Sequence, residues 1–533
     1  KLTDSNETLS LNNLALETAA GSLTLAGPLS LSNNGQFNST GGTITLTSGG
    51  SATSGATVSL PGSTLVLQSA LSFSGATLKA GNTAFTTNNN AISLNNSILE
   101  VQGTQDLSGV VPDTTSTLRL GANATINDSS VLSVGTLDLA NFALTLNDQM
   151  AGLTVGQAVT LDAATEQIIS GNADLSLNSG ITVSNGTLSS TGGTLSASGF
   201  SIGAAGKVNI LGGSLILPAG GIAANGAAFT TSNAAVSLAG TLAVANAWTS
   251  TNTNLSLTDG GILSSTAPLS LATLSTNGKD FKLANGTTDL TLADSFTLSS
   301  GKLSTQGGDL IFADSANISS GASLDATVLT GTAGKLEFQQ GGTASGTINA
   351  ENATFKIGAD YAVDGDLITS SGTTWQLGTS DLDLSGGTLE LGGNVVLDNI
   401  ITNKHTIFEL GEDATVTRNQ GFTLGDLELE SYTLALGSPT TDLTIGIADP
   451  SPGTDSTPGP PYVSSVAITS ATGIQNNLLN AGDVVSVTAT FSETVNVDEA
   501  SGTPVLILAV GNSNRTATYA SGSGSIYLVF QYT

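Results

Sequence analysis

From Leu9 to about Ile447 one short phrase keeps returning: apolar–x–apolar, followed by Gly, Asn or Asp. Ile44-Thr-Leu46, Leu65-Val-Leu67, Leu118-Arg-Leu120, Leu137-Asp-Leu139, Leu215-Ile-Leu217 and Leu389-Glu-Leu391 are instances. Such alternation marks a strand with one buried face, because successive side chains point to opposite sides of a sheet. The intervening Gly, Asn and Asp accept the positive φ angles of tight turns. Spacing then separates a sandwich from a stack. Leucine or isoleucine anchors at 44, 65, 78, 98, 118 and 137 fall mostly about 20 residues apart. A period near 20 with two or three short strands per period is the signature of a β-solenoid coil. Coils stacked at about 4.8 Å align inward Leu, Val, Ile and Ala into one continuous core, so roughly 450 residues give about 22 coils and a rod on the order of 100 Å long.

A longer repeat lies over the short one. TLDLANFALTLNDQMAGLTV (136–155), TLSTNGKDFKLANGTTDLTL (273–292) and DLELESYTLALGSPTTDLTI (426–445) each carry an aromatic (Phe142, Phe281, Tyr432) and then Leu153, Leu290 or Leu443. These leucines are 137 and 153 residues apart. AFTTNNNAISL (84–94) likewise parallels AFTTSNAAVSL (228–238). The expectation is three duplicated blocks, since whole coils duplicate readily where each unit touches only its neighbours. Within SGGTLELGGNVVLDNI (385–400), Leu389, Leu391, Val395 and Leu397 should face inward, and Gly386-Gly387 and Gly392-Gly393 should form bends.

Composition narrows the function. With 12 Lys+Arg against 41 Asp+Glu and a net charge of −29, nucleic acid and anionic membrane are poor partners. No run of 18 apolar residues is present to span a membrane as a helix. The 533 residues include no cysteine, which fits large bacterial surface proteins that do without disulfides. The chain begins at Lys1 without a signal-peptide pattern, so a mature form or a fragment is expected.

At Asp449 the character changes. DPSPGTDSTPGPPY (449–462) holds five of twelve prolines and reads as an extended linker. Beyond it, YVSSVAITS, DVVSVTATFSETVNV, TPVLILAVG, RTATYASG and SIYLVFQYT alternate over longer stretches, as sandwich strands do. Phe491–Val497, Gly502–Leu508, Ala517–Tyr519, Ser521–Gly524 and Leu528–Tyr532 occur in the order F-S-E-x-V-x-V, G-T-P-x-L-x-L, A-x-Y, S-G-S-G, L-x-F-x-Y. This stretch of about 70 residues resembles the bacterial Ig-like repeats found in tandem in giant surface adhesins. The repetitive part loosely resembles, in composition, the rods of filamentous-haemagglutinin-type adhesins. Family members continue one or two strands further, which implies a truncated domain here. The resemblance also implies Ca²⁺ at module edges, for which Asp449, Asp455, Asp483, Asp498 and Glu499 are the candidate ligands, acidic and near predicted loops as hard cations require. No other cofactor is expected.

Catalysis finds little support. His405 is the only histidine and reads as an exposed residue beside a strand, which leaves no triad. Asp294 and Asp314, one coil apart and both in Ala-Asp-Ser, are the best carboxylate pair for a polysaccharide-cleaving β-helix, but they read as equivalent turn residues. Trp248 and Trp375 read as packing residues rather than a sugar platform.

The sequence therefore predicts an all-β chain that is not an enzyme. It comprises a right-handed parallel β-solenoid (β-helix) rod over 1–448, a Pro-rich linker over 449–461 and an incomplete Ig-like β-sandwich over 462–533. The expected role is a secreted or cell-surface stalk of a bacterium, structural or adhesive. Its partner would be a surface glycan, a protein ligand, or further copies of itself in a filament or surface layer. A polysaccharide-binding or -cleaving β-helix is the remaining alternative.

Overall fold

The computed structural model describes residues 7–217, 222–224, 228–245, 248–327, 334–437, 442–449, 463–473, 482–500, 502–510 and 513–533. The chain divides into two compact units, 1–452 and 453–533. Among the described residues there is no helix, and so none long and apolar enough to cross a membrane.

The first unit is a β-solenoid of about 20 turns, with parallel pairing between successive coils. One inward ladder runs Leu9, Leu29, Gly50, Leu71, Ile92, Val110, at steps of 18 to 21 residues. The anchors chosen from the sequence lie on more than one face: Ile44 pairs with Leu65, whereas Leu78 pairs with Leu99. Ile98 pairs with Thr77 and Thr117 in an outward row, so Leu99 takes the inward position. The core is one continuous apolar cluster from Leu11 to Leu427.

Aliphatic ladders are only part of that core. Phe296, Phe312 and Phe338 stack on successive coils with ring centroids 5.2 and 5.1 Å apart. Phe338 also meets Tyr361 at 4.3 Å, and Phe355 meets Trp375 at 5.7 Å. Trp248 is buried beside Phe229 at 5.4 Å and donates its indole N–H to Thr231 Oγ1 at 2.8 Å. Both tryptophans therefore pack against the core.

The turns explain the richness in Asn, Ser and Thr. Twelve of the 16 non-glycine positive-φ residues among those described are Asn, the side chain that best tolerates this conformation. Buried hydroxyls find their own partners on turn carbonyls that also accept a backbone N–H: Thr83 Oγ1 donates to Leu60 O at 2.6 Å and Thr406 Oγ1 to Leu384 O at 2.7 Å.

The longest strands mark the block repeat. Ile98–Asp106 pairs with Thr117–Asn127, Ala235–Ala245 with Asn254–Ser265, and Thr388–Val396 with Ile407–Thr417. All three pairs share a register slip at the same place, Val101/Gly103, Leu238/Gly240 and Leu391/Gly393, and the second pair slips again at Ala243/Ala245. These glycines have φ of 65°, 89° and 68°, and their positions differ by 137 and 153 residues. Leu389, Leu391, Val395 and Leu397 are all buried, with Gly393 at the bend between them.

Two sequence alignments need correction within this frame. Phe142 and Tyr432 close the same turn, their N–H groups donating to Leu139 O and Leu429 O. In the second block that place belongs to Lys279, which donates to Thr276 O. Phe281 instead occupies the inward position of Leu144 and Leu434, paired to Gly261 as those are to Ala124 and Ala414. Similarly, Phe229 corresponds to Ile92 and not to Phe85: Asn96 and Asn233 follow at the same offset, with φ of 48° and 50°. Residue-type likeness had shifted both alignments away from the coil register.

The second unit is a five-stranded antiparallel sheet, in the order 463–472, 484–495, 525–532, 513–521, 505–510. Ala489, Val495, Ala517, Leu528 and Phe530 form its small core. The Tyr519 hydroxyl accepts a hydrogen bond from the Ser523 N–H at 2.8 Å, which ties the A-x-Y and S-G-S-G elements together.

Candidate functional site

In a parallel stack, outward residues at one position form rows whose rungs are one strand spacing apart, so charge in such a row is felt by its neighbours. The three blocks write one outward row in three ways. In the first block it reads Lys79, Glu100, Arg119, Asp138. Opposite charges alternate, with Lys79–Glu100 and Arg119–Asp138 both paired at 2.9 Å. In the second block it reads Ser237, Ser256, Ser275. In the third it reads Glu390, Glu409, Glu428.

The all-acid row gathers carboxylates with no cation among them. Glu430, held at φ 53° in the turn after Phe422–Glu428, swings its carboxylate back beside the row. One carboxylate oxygen each from Glu409, Glu428 and Glu430 lies within 4.8 Å of the others, and all three side chains are half-buried. Burial raises the Glu409 carboxyl above the usual range, and Glu430 and Asp366 push it further. Burial likewise raises Glu390, with added repulsion from Glu409 and Glu351. Carboxylate oxygens are the ligand type that a hard divalent cation such as Ca²⁺ takes, and these three would supply part of its shell.

The opposite arrangement occurs one block earlier. Glu337 receives Lys335 at 2.7 Å and Lys356 at 2.9 Å. Burial alone would raise its carboxyl, but the two ammonium groups outweigh it and hold the pKa at about 2.

The sequence-predicted residues fall as follows. Asp449 ends the strand Leu443–Asp449, in backbone register with Glu428, so the solenoid extends one residue into the expected linker. Asp455 lies outside the described residues. Asp483 is half-buried ahead of the strand Val484–Val495. Asp498 is exposed and accepts the Ala500 N–H at 2.8 Å, as a turn residue does. Glu499 is exposed, and its backbone carbonyl accepts the Gly502 N–H. Among the described residues, the only group of three carboxylates close enough to share an ion is Glu409, Glu428 and Glu430.

Asp294 and Asp314 are exposed, each two residues before the paired Phe296 and Ala316. Asp314 caps the Ser315 N–H at 2.7 Å. His405 is half-buried rather than exposed, in a turn where Asn403 Oδ1 accepts its backbone N–H at 2.7 Å. The acid row was missed although its members are 19 residues apart, one coil period. Shared local context, Ala-Asp-Ser, singles out Asp294 and Asp314, whereas the acid row shares only its register.

No family model, curated protein or solved structure matches the chain.

Proposed function

We propose that the chain is an extracellular structural and adhesive stalk of a large bacterial surface protein, a right-handed solenoid followed by an Ig-like module. The observation that carries this reading is the parallel pairing of coil on coil among the described residues from Leu9 to Asp449, with one continuous apolar core beneath it. Such a stack resists bending through rung-to-rung hydrogen bonds and side-chain ladders, and needs no catalytic group to do so. The right-handed sense follows the general preference of parallel crossovers. The Ig-like assignment rests on the ordered motifs at 491–532 and on the antiparallel sheet that carries them.

Antibodies raised against the whole chain should label intact bacteria that produce it, and negative-stain images should show separate rods. Regular end-to-end contacts between copies would replace the solitary stalk with a filament subunit. Confinement to the cytoplasmic fraction would end the surface reading.

A further inference from the structure

Internal duplication makes each block a control for the others. At the corner midway along the second long strand, the first block reads Leu120-Gly121-Ala122-Asn123-Ala124 and the third Leu410-Gly411-Glu412-Asp413-Ala414. The fourth residue caps the next coil in both: Asn123 Oδ1 accepts the Ala143 N–H at 3.0 Å, and Asp413 Oδ1 accepts the Thr433 N–H at 2.8 Å. The second block reads Leu257-Thr258-Asp259-Gly260-Gly261, so the fourth position has no side chain to offer the corresponding Asp280 N–H. A surface hollow of about 530 Å³ lies at this corner, with Gly240, Gly260 and Gly261 in its lining. That volume suits a small-molecule site.

The missing cap is accompanied by two further changes at the same place. The outward row here is Thr241, Ile262, Lys282, Ser304. Where this block has Ile262 the others have Thr125 and Thr415, and where it has Lys282 they have Thr145 and Ala435. Ile262 is 39% exposed, an apolar platform at the edge of the hollow. Lys282 makes no ion pair among the described residues, whereas Lys302 on the same rim is engaged by Asp325. Asp280, the one acid in the lining, turns an oxygen to the Lys302 backbone N–H at 2.9 Å. Ser304, Thr241 and Gln306 add hydroxyl and amide groups.

Glycine backbone in the lining, an apolar edge, an uncommitted ammonium and several neutral polar groups describe a compact ligand. It would carry one carboxylate, several hydroxyls and one apolar ring face. We propose that the corner of the second block between Gly260 and Lys282 binds a sugar acid, with Lys282 holding the carboxylate and Ile262 covering the ring. In a chain of net charge −29, an anion is retained only beside a cation that no acid has claimed. The site belongs to the second block alone and stands whether or not the chain is displayed on a surface.

Isothermal titration of the whole chain with sodium glucuronate, glucose and sodium acetate tests it. Glucuronate should bind saturably and more weakly as NaCl rises, with glucose and acetate at least about tenfold weaker, because neither charge nor hydroxyls suffice alone. Gly260→Asn restores the cap seen in the first block. It should fold normally, since a Cβ at Gly260 would meet nothing nearer than Asp280 O at 3.7 Å. Gly260→Asn and Lys282→Ala should each weaken glucuronate binding at least about tenfold, with the circular dichroism spectrum unchanged. Absence of saturable glucuronate binding, retention of it by either variant, or equal binding of acetate overturns the proposal.

Discussion

Replacing Glu409 with Gln is expected to stabilise the solenoid, although it removes a charge from an acidic, soluble surface. Oxygens of Glu409, Glu428 and Glu430 lie within 4.8 Å of one another, and Glu390 is the rung on the other side. Two unit charges at that distance repel by about 0.9 kcal/mol in water and about 3.5 kcal/mol at an effective dielectric of about 20. The side chains are half-exposed, so screening favours the lower figure, and the expected gain is about 1 kcal/mol. Gln keeps the size of Glu and can accept and donate along the row, so packing should change little. Urea titration followed through Trp375, in a background where Trp248 is Phe, reads the coils of the third block. The gain should be present at pH 7.5 and low salt and should shrink as the pH falls. The sign follows from the raised carboxyls of Glu390 and Glu409. A folded state that holds protons more tightly than the unfolded chain is favoured below the unfolded value of 4.5 and loses that advantage as pH rises through the folded pKa. Ser256→Gln, at the same position in the second block, should change nothing. If Glu409→Gln failed to raise stability at pH 7.5, or if Ser256→Gln raised it equally, the repulsion argument would be refuted.

Four other outcomes are expected. Arg119→Glu breaks the pair with Asp138 and puts three acids in succession in the first block, which should cost about 1–2 kcal/mol in urea titration and recover in part at high salt. Tyr361→Phe should raise stability by about 1 kcal/mol in the same assay, because the buried hydroxyl has no hydrogen-bond partner among the described residues and the ring contact with Phe338 is kept. Gly393→Ala should cost about 1–3 kcal/mol, since φ is 68° and the new Cβ would lie 2.6 Å from Ser371 Cα. Stability measured against pH should peak on the acidic side of neutrality. Above the peak the acid row loses protons; below it Glu337 and Asp113, each held at about 2, lose the charged state that folding favours as pH drops from their unfolded values of 4.5 and 3.8. For Asp113 burial works the other way but is outweighed by hydrogen bonds from Ser116 and Thr115.

The solenoid was legible because its signal is local and repeated: Leu-x-Leu phrases fix which face is buried, and Asn or Gly fixes the turns. The aromatic stack from Phe296 to Trp375 was not legible, because which inward positions become neighbours depends on coil lengths. These vary from 18 residues at Ile92–Val110 to 26 at Ala316–Gly342. For the same reason Phe281 was matched to Phe142 by residue type although coil register assigns it to Leu144. The acid row and the hollow at Gly260 are likewise properties of register, visible only once Glu390, Glu409 and Glu428, or Asn123, Gly260 and Asp413, are known to share one place.

That shared place bears on how such a chain can acquire function. At Val101, Leu238 and Leu391 the inward residue stays a buried aliphatic in every block, and the glycine two residues on keeps its positive φ. One position before each of them, the outward residue is Glu100, Ser237 or Glu390. Burial and backbone geometry constrain the first two positions, because a polar side chain or a Cβ there meets packed neighbours. Solvent makes the third nearly free, since an exposed substitution changes stability only by what its own row adds or repels. A duplicated coil can therefore change its outer chemistry, from paired charges to serines to a row of acids, without altering the stack that holds it. The corner at Gly260 shows the same freedom applied to a turn: in a block flanked by two that carry a side-chain cap, glycine takes the cap position, the coils still pair in parallel on both sides of the slip, and a hollow lies at the surface.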